Sequence, residues 1–441
     1  MADDTIFALA TGRVRAGLAV IRVSGPSAGR AIERMTARPV PEGRRAARRR
    51  LQDGDGEVLD EGLVLWFPGP GSFTGEDVAE FHLHGGRSVV EGMLQALGVI
   101  PGLRSAEPGE FTRRAVINGK MDLTAAEAIA DVVAAETAEQ RRQALRQLDG
   151  ELARLYDTWR QRLLRAQAHL EVAIDFSDED IPGDLITGVR AEAAAVAAEF
   201  AHHLVQAGQG RRLREGIEIV LVGAPNAGKS TLVNALAERE VAIVSPRPGT
   251  TRDVLEVALD FGGFPVVLCD TAGLQDASDE IEAEGVRRAR ARAAGADLRL
   301  IVYDGALWPS GISGLAGEIA AGDVRVVSKW DLQVGTVASP ENGAIAVSAQ
   351  SGFGLERLRQ LIVRELELRF AAAGCVAPTR ERHLEGLRAA LSALRRFEEA
   401  TAIEFMAEDL RAAAQALGRI TGHVDVEAVL DVIFAEFCLG K

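Results

Sequence analysis

The run GAPNAGKST brackets four residues between Gly223 and Gly228 and then presents Lys229, Ser230 and Thr231. Glycines at that spacing let backbone N–H groups face a phosphate. The lysine reaches the β- and γ-phosphates, and the Ser230 hydroxyl is placed to bind Mg2+. The apolar run IEIVLVG precedes it and TLVNALAE follows, the strand-then-helix context that a phosphate loop needs. Further elements come in order. Thr251, in GTTRD, can close a switch loop onto the metal. Asp270-Thr271-Ala272-Gly273 ends the run FPVVLCD, where Asp270 can meet Mg2+ through water and the Gly273 N–H can meet the γ-phosphate. Lys329-Trp330-Asp331 and Ser348-Ala349 end later apolar runs. The Asp331 carboxylate fits the N1 and N2 donors of guanine, an edge that adenine lacks. With Asn226, Ala227, Ser245, Thr250 and Ser328, these residues make the candidate GTP site, and the chemistry predicted is GTP hydrolysis.

Two positions depart from the common GTPase pattern. Ser328 stands where an Asn is usual, and offers one hydroxyl where an amide offers donor and acceptor. Weaker nucleotide affinity is expected. Leu274 follows Gly273, where Ras-like enzymes carry a water-orienting Gln. Another base and another source of positive charge are then required. The Asn226 carbonyl oxygen can bind a monovalent cation beside the phosphates, and the loop SPRPGTTRD can add Ser245, the Arg247 backbone and Thr250. The stretch DASDEIEAEG holds Glu280, Glu282 and Glu284, any of which can polarise a water; otherwise it is a solvated switch helix.

The elements that must position these groups fall into three textures. The 441 residues allow about three domains. The N-terminal part is Gly-rich with short apolar runs, read as strands, turns and a helix or two, hence α+β. An Ala-, Leu-, Glu- and Arg-rich part follows, in which Leu148, Leu152, Leu155, Trp159 and Leu163 recur at the spacing of one amphipathic helix. Then IEIVLVG, FPVVLCD, LRLIVYD, VRVVSK and AIAVSA alternate with helical stretches, the pattern of a doubly wound parallel sheet. Helical texture returns with one stripe of Leu384, Leu387, Leu391 and Leu394 and another of Val426, Val429, Leu430, Ile433, Phe434 and Phe437. The preferred organisation is one helical domain with the α/β domain inserted. RRAARRR, residues 44–50, reads as a solvated loop rather than a binding site, whereas Arg211, Arg212 and Arg214 are possible RNA contacts.

Composition excludes several classes. At 47% hydrophobic and 26% charged the chain is globular, not disordered. Its net charge of −14 argues against a generic nucleic-acid coat. Cys269, Cys375 and Cys438 are far apart and odd in number, which points to a reducing compartment. With neither a signal-peptide pattern nor a membrane-length apolar run, a cytoplasmic protein without a membrane association is expected. His82 and His84 alternate in a strand-like run, but two histidines seldom suffice for a metal. Cys269 reads as a buried small hydrophobe.

The chain resembles the MnmE (TrmE) family of tRNA-modification GTPases over nearly its whole length. The resemblance rests on DTIFALAT, IRVSG, FTGEDVAEFHLHGG, PGEFTRRAVINGKMDLTAAEAI, GAPNAGKSTLVNAL, GTTRD, DTAGL and the closing CLGK. The terminal motifs are far more specific than those of the G domain. The resemblance implies an N-terminal α+β domain (1–118) that dimerises and binds 5-formyl- or methylene-tetrahydrofolate. It implies a helical domain in two parts (119–212 and 376–441), interrupted by a Ras-like doubly wound P-loop G domain (213–375). It further implies potassium-dependent hydrolysis with G-domain dimerisation. The implied partners are a second copy, the flavoprotein MnmG and tRNA, with a carboxymethylaminomethyl or aminomethyl group added at C5 of the wobble uridine. Position by position, Arg22, Glu80, Lys120 and Lys441 would contact the folate. Asn226, Ser245, Arg247 and Thr250 would hold K+, and Ser230 and Thr251 would hold Mg2+. Glu282 would be the hydrolytic carboxylate. The switch carries a second proline, Pro248, before its glycine, a departure from the family.

Cys438 stands fourth from the C-terminus. A prenyl anchor fits poorly with the glycine and lysine that follow. A structural thiol at the end of the Phe434–Phe437 stripe fits better. A reactive thiol on a tail that Gly440 frees from the helix fits best, since Lys441 matches a folate-contacting position. The rival classes are a regulatory or ribosome-assembly GTPase, which leaves PGEFTRRAVINGK and CLGK unexplained, and a folate enzyme whose G domain is only a timer.

Overall fold

The computed structural model describes residues 4–175, 183–243, 256–270, 291–308, 322–333, 343–371 and 377–424, with 340, 430, 433, 437 and 440 as single positions. They form two compact units: Met1–Ala130, Ala153–Leu164 and Arg411–Lys441 in one, Asp131–Leu152 and Arg165–Leu410 in the other.

In the first unit, β1 (Thr5–Leu9), β2 (Ala19–Ser24), β3 (Ala47–Gln52), β4 (Val58–Phe67), β5 (Val78–Leu83) and β6 (Leu103–Ser105) form one sheet. The order is β3-β4-β5-β2-β1-β6, antiparallel except for β1 beside β6. Side chains alternate between its faces. Ile21, Val23, Val64 and Phe81 face α1 (Ala28–Thr36) and α2 (Arg87–Gly98), packing on Ile32, Met35, Met93 and Leu97. The residues between them, Arg22, Leu63, Glu80 and His82, face the other way. Near the β1 end of that second face, Ile6, Ala8 and Ala106 pack with Phe73 and with Phe111 of α3 (Glu110–Ile117). Leu123 and Ala126, from α4 (Leu123–Ala134), form a separate cluster with Leu430, Ile433 and Phe437, so part of the last apolar stripe packs here.

Two expectations fail in this region. RRAARRR is a loop only over residues 44–46: Ala47–Gln52 is the edge strand β3, with buried Leu51 anchoring its inner face. The single helix expected through Leu148 and Leu163 is two helices, α5 (Ala138–Leu148) and α6 (Glu151–Asp175). Gly150, at φ +78°, breaks it, because the left-handed conformation cannot continue a right-handed helix.

In the second unit α7 (Gly183–Glu215) leads into β7 (Ile217–Gly223) and α8 (Lys229–Ala237). There follow β8 (Val241–Ala242), β9 (Glu256–Phe261), β10 (Phe264–Asp270), β11 (Leu298–Asp304), β12 (Val324–Ser328), β13 (Ile345–Ala346) and α9 (Leu355–Leu366). The sheet order is β13-β12-β11-β7-β10-β9-β8. The five strands read from sequence, β7 and β10–β13, are its parallel part. The sheet is mixed, however: β9 runs antiparallel to β10, and β8 to β9. EVALDF was missed as a strand, although Gly262-Gly263 after it is a two-residue hairpin signal; both glycines have positive φ. Beyond the sheet, α10 (Glu381–Glu399) packs along α7; α11 (Ile403–Thr421) follows, its residues from Arg411 onward belonging to the first unit. Cys269 is buried beside Val220 and Ala293, and burial pushes its thiol up to about 12.

Candidate functional site

Strand β7 ends at Gly223, where a Cβ would lie 2.3 Å from the Val302 carbonyl oxygen; only glycine fits so close to β11. The loop then turns through Asn226, at φ +61°, and Gly228, at φ +84°. Left-handed residues directly before a helix turn successive N–H groups to one side, an anion cradle at the N-terminus of α8. Lys229 is buried, and its ammonium donates to the Gly223 and Ala224 carbonyls, both at 2.9 Å. Burial lowers its pKa, against the pull of Asp270. The Ser230 hydroxyl donates to the Asp270 carboxylate. Asp270, fully buried, ends β10 beside Leu221 of β7. Two oxygen ligands suited to Mg2+ thus stand together, one on the first turn of α8 and one at the end of β10, as the donor set for a hard cation requires. Thr231 is exposed on the first turn of α8.

The residues expected to recognise the base gather at the ends of β12 and β13. Trp330 N–H donates to the Val347 carbonyl at 3.1 Å, joining the Lys329–Asp331 turn to Ser348-Ala349. Asp331 is exposed on a short 3-10 turn, Ser348 is buried, and Ala349 is half-buried. Ser348 Oγ accepts from Ser351 N–H at 3.1 Å. Ser328 plays a part that its sequence position did not reveal. Its buried hydroxyl faces protein, against the Ala227 carbonyl and, at 3.0 Å, the Tyr303 carbonyl. It supports the phosphate loop from below. Lys329, itself at φ +51°, crosses the same gap: its ammonium lies 2.6 Å from the Asn226 carbonyl and 2.7 Å from Asp304. Burial would raise the Asp304 pKa, but the hydrogen bond and charge of Lys329 more than offset that and lower it. Asp304 was missed in the sequence; its signal is its place at the end of the run LRLIVYD.

A second group of expected residues meets on the outer face of the N-terminal sheet. Arg22 of β2 and Glu80 of β5 are register partners, joined at 3.0 and 2.8 Å. The Arg22 guanidinium lies 5.3 Å from the Phe73 ring centroid and 5.8 Å from that of Phe111. His82 contacts the other Glu80 oxygen at 3.2 Å, whereas His84 is held by Asp60 at 2.8 Å. The two histidines therefore serve different carboxylates, and the described residues hold no group of three or more metal-ligating side chains. The Lys120 ammonium donates to the Pro70 carbonyl at 2.9 Å. Gly440 packs against β1: a Cβ there would lie 2.2 Å from the Leu9 carbonyl oxygen and 2.9 Å from the Ala10 Cα. The register partner of Arg22 on β1 is Ala8. Ser245, Arg247, Pro248, Thr250, Thr251, Thr271, Ala272, Gly273, Leu274, Glu280, Glu282, Glu284, Cys375, Cys438 and Lys441 lie outside the described residues.

Comparison with known proteins bears on both sites. Residues 5–120 match the family model described as GTP-binding protein TrmE N-terminus, and residues 123–438 match the MnmE helical domain. The chain is 56% identical over 441 residues to the tRNA modification GTPase MnmE of Paramagnetospirillum magneticum, with all of both chains covered. The chain belongs to the MnmE family of tRNA modification GTPases. MnmE of Rhodospirillum rubrum is 53% identical over 457 residues, again with both chains fully covered. Among solved structures, the G domain of the T. maritima FeoB iron transporter is 25% identical, covering 34% of this chain and 98% of that one, with a TM-score of 0.26. That likeness is too slight to bear on fold or function. Membership of the MnmE family agrees with the GTP-hydrolase reading and with the three-part fold class of α+β, helical and P-loop segments. Among the described residues no helix is long and apolar enough to cross a membrane.

Proposed function

We propose that this chain is a potassium-dependent GTPase that acts with MnmG at C5 of the wobble uridine of certain tRNAs. A tetrahydrofolate derivative, 5-formyl or methylene, supplies the one-carbon unit of the aminomethyl or carboxymethylaminomethyl group. The proposed working form is a cytoplasmic homodimer. Its parts are a folate-binding and dimerisation domain (1–118), a helical domain (119–212 and 376–441) and a G domain (213–375).

Ser230 and Thr251 hold Mg2+ in this reading, while Asn226, Ser245, the Arg247 backbone and Thr250 hold K+. Glu282 polarises the attacking water. Asp331 reads guanine, with Ser348 and Ala349 beside it and Lys329 beneath. Arg22, Glu80, Lys120 and Lys441 bind the folate. The half-buried Phe73 ring and the hydrogen-bonding pair Arg22–Glu80 suit a flat heterocycle with a donor–acceptor edge. Cys438 supplies a thiol near it.

One observation favours a modification enzyme over a GTPase switch. Gly440, two residues from Cys438, lies against β1, whose neighbour β2 carries Arg22. A switch has no use for a chain segment seated at that strand. The test is mass spectrometry of tRNA nucleosides from cells lacking this chain. Loss of the C5-modified wobble uridine, restored by the intact gene, is expected; unchanged modification would overturn the proposal.

A further inference from the structure

We propose that the outer face of edge strand β3 is a contact surface for the sugar-phosphate backbone of RNA, with Arg48 and Arg50 as its phosphate-binding residues. The proposal rests on the tRNA-modification reading above and adds to it the place where the tRNA lies.

The register of the sheet carries the argument. Arg48 pairs with Leu63 of β4, Leu63 with His82 of β5, and His82 with Val20 of β2. Partners in a row share a face, and residues two apart on a strand share it too. Arg48 and Arg50 therefore lie on the same face as His82, Glu80 and Arg22. Three strand spacings separate β3 from β2, about 15 Å. Along β3 the two arginines are two residues apart, about 7 Å, so both can face phosphates of one strand of nucleic acid. A nucleotide whose base reached the folate held at the Arg22–Glu80 pair would leave its neighbours' phosphates over this edge.

The charges are available. The Arg50 side chain has no hydrogen bond or ion pair among the described residues, while its backbone pairs with β4 opposite Glu61. Arg48 has only an exposed pair with Glu61, 3.0 Å apart, with side chains 75% and 48% exposed. Such pairs contribute about 0–1 kcal/mol, so a phosphate can displace this one. By contrast, of Arg211, Arg212 and Arg214, the cluster that the sequence offered as possible RNA contacts, the last two are tied to largely buried carboxylates and Arg211 has an exposed partner. They pair with Glu381 at 3.3 Å, Asp297 at 3.1 Å and Asp131 at 2.9 Å. The competing role for basic residues on β3 is protection of an open sheet edge against pairing with another chain.

The experiment measures binding of the full-length chain to bulk tRNA by fluorescence anisotropy, at several salt concentrations. For Arg48→Glu/Arg50→Glu, tRNA affinity should fall about tenfold or more near 0.1 M salt. The slope of log K against log salt should shrink by about 1.4, two phosphates at ~0.7 each on single-stranded RNA. Arg48→Lys/Arg50→Lys should keep most of the affinity, and GTP hydrolysis should be unchanged in both variants. Wild-type affinity and slope in the Glu variant would overturn the proposal, as would a wild-type chain that shows no salt-dependent tRNA binding. Aggregation of the Glu variant with tRNA affinity intact would assign the arginines to edge protection. None of these outcomes touches wobble-uridine modification measured in cells, so the two proposals fail separately.

Discussion

The Lys329 ammonium lies 2.6 Å from the Asn226 main-chain carbonyl oxygen, so the turn expected to read the base grips the crest of the phosphate loop directly. Asp304 holds the same ammonium at 2.7 Å. The grip pins a residue at φ +61°, a conformation that costs an asparagine little but is not its preferred one. Asp304→Asn removes the charge that orients Lys329. It should raise the GDP dissociation constant about tenfold, within the range for a charge-assisted hydrogen bond. Titration with a fluorescent GDP analogue checks this, and an unchanged affinity would show that the Asn226 carbonyl alone suffices to hold Lys329.

Ser328 has one hydroxyl hydrogen for two carbonyls, Ala227 and Tyr303. Ser328→Ala should destabilise the G domain by ~1 kcal/mol and weaken GDP binding. Ser328→Asn supplies two N–H donors and should tighten it. Equal GDP affinity in wild type and both variants would mean that this side chain has no part in shaping the nucleotide site.

GTP turnover should be much faster in K+ than in Na+, because Asn226 and the switch oxygens would cage the larger ion. Asn226→Gly should flatten the preference while tolerating the left-handed backbone, which separates side chain from loop shape. Equal wild-type rates in both salts would refute the potassium cage.

Cys438→Ser should leave GTP hydrolysis nearly intact and cripple tRNA modification, through loss of a nucleophilic thiol. Normal modification by a stably folded Cys438→Ser protein would leave Cys438 a structural role only.

His203 of α7 is buried, and burial, then the charges of His383 and His202, lowers its pKa to about 4. An unfolded chain therefore binds a proton here that the folded one refuses between pH ~6.5 and about 4. Stability from this site is full above the unfolded pKa and is lost as pH falls through that window. Denaturant melts of wild type should lose stability from pH 6.5 to 4 more steeply than those of His203→Gln. Parallel losses would show that the buried ring does not govern acid sensitivity.

The phosphate loop, the Asp270 strand end and the Lys329–Asp331 turn were legible in the sequence because their chemistry is local. Each is a few contiguous residues at the end of an apolar run, and the run itself states that a strand is buried there. The parallel core of the G-domain sheet was legible for the same reason. Tertiary structure decided what depends on register and on the ends of other strands. Arg22 and Glu80 are 58 positions apart, and their contact exists because β2 and β5 pair with those two residues opposite. Ser328 and Lys329 look like base-recognition residues in the chain, yet their polar atoms turn to carbonyls 101 and 103 positions away. RRAARRR resembles a solvated loop by composition, since charge alone does not distinguish a loop from an edge strand with one face in water. Only pairing with β4, and Leu51 buried beneath, places its alternate arginines on one side. Local spacing determines which groups can do chemistry; hydrogen-bond register between distant strands determines which of them share a face, because a shift of one residue turns every side chain over.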